Sequence, residues 1–367
     1  MIRTPLILLY SLLASIAFAQ KTSVPATEMQ QLYDEVKTPY KYGLVMVTED
    51  DSKKMDCPTV FRKGKNWYMT YLQYDGRGYE TWLAESKDLL HWENKGRLLS
   101  FSADTTLWDA HQKAGYNALQ DTEWGGSYEL KAYQNKYWMS YIGGNGRGYE
   151  AGDLSIGMAY TTKEPTQVHE WQRFPKPLFT AKDPDTRWWE NRKLFKSSVI
   201  EDPQKLTGHR FVMYYNANGD SAKNNLKTRW FERIGMALSD DMEHWQRFEP
   251  EPVLQHPVGI TGDAVLQKIK DTWVMFYFGA FWKDQKAQGF NRFAASKDLV
   301  HWTDWTGPNL IEPSEPYDAL YAHKSFVLKH QGVVYHFYCA VNKKDQRGIA
   351  VATSKDVGKS EKEFAKK

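Results

Sequence analysis

Two cysteines, Cys57 and Cys339, are all that the 367 residues contain, which excludes a disulfide framework and leaves at most one bridge; free, buried thiols are expected. Beyond the N-terminal segment no apolar run is long enough to span a membrane. The net charge is only +3 and its basic residues are scattered among acidic ones without forming a stripe, so nucleic acid and anionic membranes are poor partners. The chain also lacks close-set Cys/His zinc spacing, a Gly-rich phosphate loop and a Gly-x-Ser-x-Gly elbow. Structural zinc, nucleotide phosphates and serine-hydrolase chemistry are thereby set aside.

What is present begins with Met1-Ile2-Arg3, an apolar run from Leu6 to Phe18 and the small-residue site Ala17-Phe18-Ala19. That pattern is a secretory signal peptide over 1–19, so a single soluble domain over 20–367 is expected in the periplasm or outside the cell. Aromatic residues make up 15% of the chain, an excess that strand-rich packing or sugar stacking would use.

An internal repeat organises the rest. Ser86-Lys87-Asp88-Leu89-Leu90-His91-Trp92 returns as Ser239-Asp240-Asp241-Met242-Glu243-His244-Trp245 and as Ser296-Lys297-Asp298-Leu299-Val300-His301-Trp302. Degenerate copies end at Trp171 and begin at Ser354. Upstream of each copy lie an alternating strand, a polar turn and an aromatic strand: 67–71, 137–141, 211–215, 273–277 and 334–338. Such spacing predicts an all-β, five-bladed β-propeller with blades at roughly 55–110, 125–180, 195–255, 260–312 and 320–357, the last closed by a strand at 42–47. A motif repeated in every blade cannot converge on one site. It reads as turn chemistry, with its Trp packed between neighbouring blades.

Function is expected from unrepeated residues at the axis, where each innermost strand opens. Counting back from the aromatic strands places Asp56, Glu129, Lys196, Asp263 and His323 there. Crowding ionisable groups together is costly unless a ligand or chemistry uses them; the alternative is mutual pairing that merely plugs the channel. Asp56, Glu129 and Asp263 stand on different blades, and opposed carboxyl groups are what glycosidic cleavage requires. Lys196 and His323 are read as substrate-binding or pKa-tuning groups. In the connecting segments, Trp108, Asp109, His111 and Glu190 are candidate sugar contacts, with loop packing as the equal alternative.

These residues resemble the five-bladed glycosidases typified by glycoside hydrolase family 43 and its relatives in families 32, 117 and 130. Met55-Asp56-Cys57-Pro58-Thr59-Val60 is similar to the opening Asp-Pro strand that carries the general base, with one residue inserted. Gly262-Asp263-Ala264-Val265 falls where those enzymes have a Glu-Gly-Pro general acid, with Asp replacing Glu. Ala322-His323-Lys324-Ser325 resembles a Gly-His-x-Ser segment whose His faces the axis, and Ser127-Tyr128-Glu129-Leu130 falls on the second-blade segment. On the third blade Phe195-Lys196-Ser197-Ser198 replaces Asp-Pro-Ser, and the later Glu201-Asp202-Pro203 reads as a hairpin turn. The resemblance implies an exo-acting, inverting glycosidase on an oligosaccharide or polysaccharide, with Asp56 as base, Asp263 as acid and Glu129 as third carboxylate. It implies no required cofactor or catalytic metal, and leaves room for a central ion or water near His323. A glycoside phosphorylase and a non-catalytic carbohydrate-binding propeller stay open as alternatives.

Overall fold

A computed structural model describes residues 23–169, 171–219 and 231–365; the expected signal segment lies outside them. Helix α1 (Ala26–Val36) precedes a chain that is otherwise strands, turns and a 3-10 turn at Pro316–Asp318. Met29, Leu32 and Val36 repeat at helical spacing and lie on Val274, Phe276 and Phe293, while Tyr33 stacks on Trp305 at 5.0 Å. Among the described residues no helix is long and apolar enough to cross a membrane.

Strand β1 (Tyr40–Met46) is followed by β2 (Lys54–Lys63), β3 (Asn66–Tyr74), β4 (Tyr79–Ser86) and β5 (Trp92–Leu99), of which β2 to β5 pair in chain order as one sheet. A second sheet holds β6 (Gln112–Asn117), β7 (Tyr137–Gly144), β8 (Ser155–Thr161) and β9 (Gln172–Arg173). Then come β10 (Lys193–Glu201), β11 (Phe211–Asn218), β12 (Phe231–Ser239) and β13 (Gln246–Arg247), followed by β14 (Gly259–Ile269), β15 (Thr272–Ala280), β16 (Gly289–Ser296) and β17 (Thr303–Asp304). These two meanders join into an eight-stranded sheet through a short parallel contact of Phe231 with Gly259 and Glu232 with Ile260. The last sheet comprises β18 (Tyr321–His330), β19 (Val333–Val341), β20 (Arg347–Thr353) and, antiparallel to β20, β1. That pairing covers an edge that β20 would otherwise expose.

The first strands of the meanders face one another, with β2 beside β18, β18 beside β14, β14 beside β10 and β10 beside β6. Strand β6 holds this inner place in the second meander, whereas the segment carrying Glu129 is an excursion between β6 and β7. Ala114-Gly115 hides the strand signal of β6 because the site has no room for a branched residue: a Cβ on Gly115 would collide with Met139 Sδ.

The Ser-Asp-His-Trp repeat is local turn chemistry. Ser86 Oγ accepts from Leu89 N at 2.9 Å, and Asp88 Oδ1 accepts from Leu90 N and His91 N at 2.9 and 2.8 Å. The Ser239/Asp241 and Ser296/Asp298 copies make the same bonds. Trp92 then meets Phe337 edge-on at 5.8 Å and Trp302 meets Tyr214 at 5.7 Å, so each links its sheet to a neighbouring meander. Glu201 ends β10 and pairs with Arg210, while Asp202 N donates to Arg210 O at 2.7 Å in the turn to β11. Cys57 and Cys339 are free and buried.

Candidate active site

Where the inner strands converge lies a cavity of about 160 Å³, room for on the order of ten water-sized groups and thus for one sugar ring. Its walls are largely apolar and aromatic, including Leu72, Ile142, Phe195, Phe278 and Tyr321, and its polar groups are few and convergent.

Bulges aim several of those groups. The ladder register slips between Asp56 and Thr59 in β2, Leu194 and Ser197 in β10, Gly262 and Val265 in β14, and His323 and Phe326 in β18. At three of these slips a non-glycine residue adopts positive φ: Cys57 at 46°, Asp263 at 57° and Lys324 at 57°. Such backbone costs on the order of 1–3 kcal/mol per residue and re-aims the side chain. All three line the cavity, as do Lys196 and His323.

The ends of the second-to-third strand hairpins supply Glu150 and Glu232. Glu150 closes the segment Gly146-Arg147-Gly148-Tyr149-Glu150, which duplicates Gly76-Arg77-Gly78-Tyr79-Glu80. Gln112 Nε2 holds this segment by donating to Gly146 O and Gly148 O at 2.8 Å each. Tyr79 and Tyr149 from the two copies pack edge to face at 5.6 Å on the cavity wall. Glu150 Oε1 lies 4.0 Å from Lys324 Nζ; burial raises its pKa, and the Lys324 charge opposes that rise. Glu232 Oε2 accepts from Asn216 Nδ2 at 2.6 Å, and Asn216 Oδ1 in turn accepts from Asp263 N at 3.3 Å. Burial, reinforced by the Glu150 and Asp263 charges, pushes Glu232 up to about 8. It therefore keeps its proton at neutral pH.

Asp56 does not line the cavity. It is 1% exposed, with Oδ2 2.8 Å from Lys324 Nζ and 3.7 Å from Arg347, while Oδ1 accepts from Cys57 N at 3.0 Å. Burial favours the neutral acid, yet the Lys324, His323 and Arg347 charges outweigh it and hold Asp56 well below the usual carboxylate range. Arg347 also donates to Tyr149 OH at 2.7 Å. His323 is pushed down to about 3 by burial and by Lys324, and its ring meets Phe278 edge-on at 5.3 Å. Burial, then the Asp56 charge, pushes the Cys57 thiol up, and its Sγ stands 3.4 Å from Asp263 Oδ2.

The remaining candidates lie elsewhere. Glu129 is half-buried and accepts from Gly64 N at 3.2 Å. Trp108 stacks on Tyr141 at 5.6 Å, and buried Asp109 pairs with Arg173 and accepts from Tyr141 OH at 2.8 Å. His111 accepts from Arg147 Nε at 3.2 Å, which ties it to the Glu150 segment without placing it in the cavity. Glu190 is buried between Tyr215 OH at 2.6 Å and Arg247 Nε at 3.1 Å. Sequence reasoning missed Glu150, Glu232 and Arg347. The duplicated Gly-Arg-Gly-Tyr-Glu was a usable signal for Glu150; no motif marks Glu232. Among the described residues no group of three His, Cys, Asp or Glu side chains is arranged to hold a metal.

No family model and no curated protein matches the chain. Among solved structures it is similar to a glycoside hydrolase at 51% identity, with a TM-score of 0.90 over 94% of this chain and 99% of that one. It is also similar to BT0996 in a complex with RGII at 52% identity, again with a TM-score of 0.90 over 94% and 99%. A thermostable family-43 glycoside hydrolase shares the fold at 16% identity, with a TM-score of 0.57 over 84% and 91%.

Proposed function

The chain belongs to the glycoside hydrolases, and from that premise we propose that it is an exported, exo-acting five-bladed propeller that removes a terminal sugar, with Glu232 as proton donor and Glu150 as its carboxylate partner. The carrying observation is one cavity holding a carboxyl group protonated near pH 7 within electrostatic reach of a second. Glu232 would protonate the leaving oxygen while Asn216 holds its other oxygen; Glu150 would take the proton of the attacking water. Asp263, tied to Glu232 through Asn216, is the third carboxyl group in reach.

This reading moves the base from Asp56 to Glu150, because Asp56 is already engaged by Lys324 and Arg347. It counts the halves of the eight-stranded sheet as separate blades. Exo action is supported by a cavity sized for one ring, and export by the pattern at 1–19, which N-terminal sequencing of the exported protein would check at Gln20. RGII is the proposed substrate, on the strength of the 52% identical relative in complex with it.

Incubating the protein with RGII oligosaccharides, with and without phosphate, tests the reading. Phosphate-independent release of one monosaccharide, lost in Glu232→Gln and Glu150→Gln, is expected; release that survives both variants overturns the pair. Proton NMR of the first product anomer reads the stereochemistry, for which inversion is the expected outcome.

A further inference from the structure

Lys196 differs from the other cations of the cavity. Lys324 and Arg347 both face the Asp56 carboxylate, but the Lys196 ammonium has no hydrogen-bond partner among the described residues although the residue is only 3% exposed. Its Nζ stands 5.3 Å from the Tyr116 ring centroid, and such a contact returns much less than the hydration an ammonium loses on burial. Lys196 and Tyr116 border the main cavity and also a smaller polar one of about 30 Å³ with Thr59, Asn117 and Ser197. That space admits a water or two, which leaves ammonium donors for the main cavity. A sugar bearing a carboxylate would meet Glu150 and Asp263 there, so a neutral ring suits the site better.

We propose that Lys196 determines specificity by donating a hydrogen bond to one hydroxyl of a neutral terminal sugar, so that a sugar lacking that hydroxyl is rejected. Rejection follows because the deoxy sugar would leave a buried ammonium unpaired, the situation that gives hydrogen-bonding sites their selectivity. The inference rests on the cavity being the sugar site.

The test begins with the monosaccharide that the wild type releases from RGII oligosaccharides. No release would overturn the site reading, and this inference with it. Calorimetry then compares that monosaccharide with its monodeoxy analogues on Glu232→Gln and on Glu232→Gln/Lys196→Met. With Lys196 present, one analogue is expected to bind about 10- to 100-fold more weakly than the parent, the effect of a charged hydrogen bond. In the Lys196→Met protein that difference is expected to vanish, parent and analogue binding alike. Discrimination retained there would overturn the proposal, because another donor would then be responsible. Loss of all binding by both ligands would also overturn it, in favour of a packing role. Lys196→Gln, which keeps a donor without the charge, serves if the methionine variant does not fold; weakened discrimination supports the proposal and unchanged discrimination overturns it.

Discussion

Glu232 and Asp56 are both carboxyl groups taken out of water, yet their surroundings push them in opposite directions. Burial with acidic neighbours carries Glu232 to about 8, whereas the cations around Asp56 keep it ionised. As the proton donor, Glu232 should make kcat/KM fall as pH rises through about 8. Glu232→Gln should lower turnover of an unactivated glycoside about 10²- to 10⁴-fold and abolish that limb. The same shift bears on stability. The unfolded group titrates near 4.5 and the folded one near 8, so the stability present below pH 4.5 is lost as pH rises through that interval. Thermal unfolding should therefore show Glu232→Gln gaining on the wild type at about pH 8 relative to about pH 4; an equal difference at both would contradict the protonated assignment. Asp56→Asn leaves Lys324 and Arg347 without their counter-ion and should cost about 3–5 kcal/mol in denaturant unfolding. Because the Asp56 charge raises the pKa of Glu150, the acid limb of activity should move to lower pH. Inactivity at every pH in a folded Asp56→Asn protein would instead return the base role to Asp56.

Two kinds of element divide the labour. The inner strands carry register slips that turn Cys57, Asp263 and Lys324 toward the cavity, while the turn repeat at the far end of each third strand only shapes backbone. Asp298 Oδ1 accepts from Val300 N and His301 N at 2.9 and 2.8 Å, remote from the cavity lining. Asp298→Ala should therefore lower stability by about 1–2 kcal/mol in urea unfolding and leave kcat unchanged. A large fall in kcat at full folding would show that the repeat does more than hold turns. The hairpin ends are the third device: Gln112 fastens the Glu150 segment through Gly146 and Gly148, and there a duplicated pentapeptide reaches the site.

The whole molecule is held as a series of sheets whose first and last strands meet. Strand β1 pairs with β20 across the length of the chain and buries Leu44 and Val45; α1 packs across β15 and β16 through Val274, Phe276 and Phe293. A protein beginning at residue 48 would lose no cavity-lining residue but would expose the β20 edge and an apolar face. It should be recovered aggregated or without a cooperative unfolding transition in circular dichroism. A monomeric, cooperatively folding truncated protein would show that closure is dispensable.

The sequence by itself determined the all-β class and the chemistry of the turns, because alternation, hairpin residues and the Ser-Asp-His-Trp motif act within a few residues of one another. It also brought attention to Lys196, Asp263 and His323, which line the cavity, since ionisable residues opening apolar strands are conspicuous. Tertiary structure alone decided which carboxyl groups meet. A strand turns a side chain to the opposite face with each residue, so the slip beside Asp56 leaves Cys57 at the cavity and Asp56 behind it. The short, glycine-bearing β6 displaced Glu129 from the axis, and Asp109 and Glu190 found arginine partners that no spacing announces. Glu150 and Glu232 lie on different meanders, and their proton affinities depend on burial and on charges brought near only by the closed arrangement of sheets.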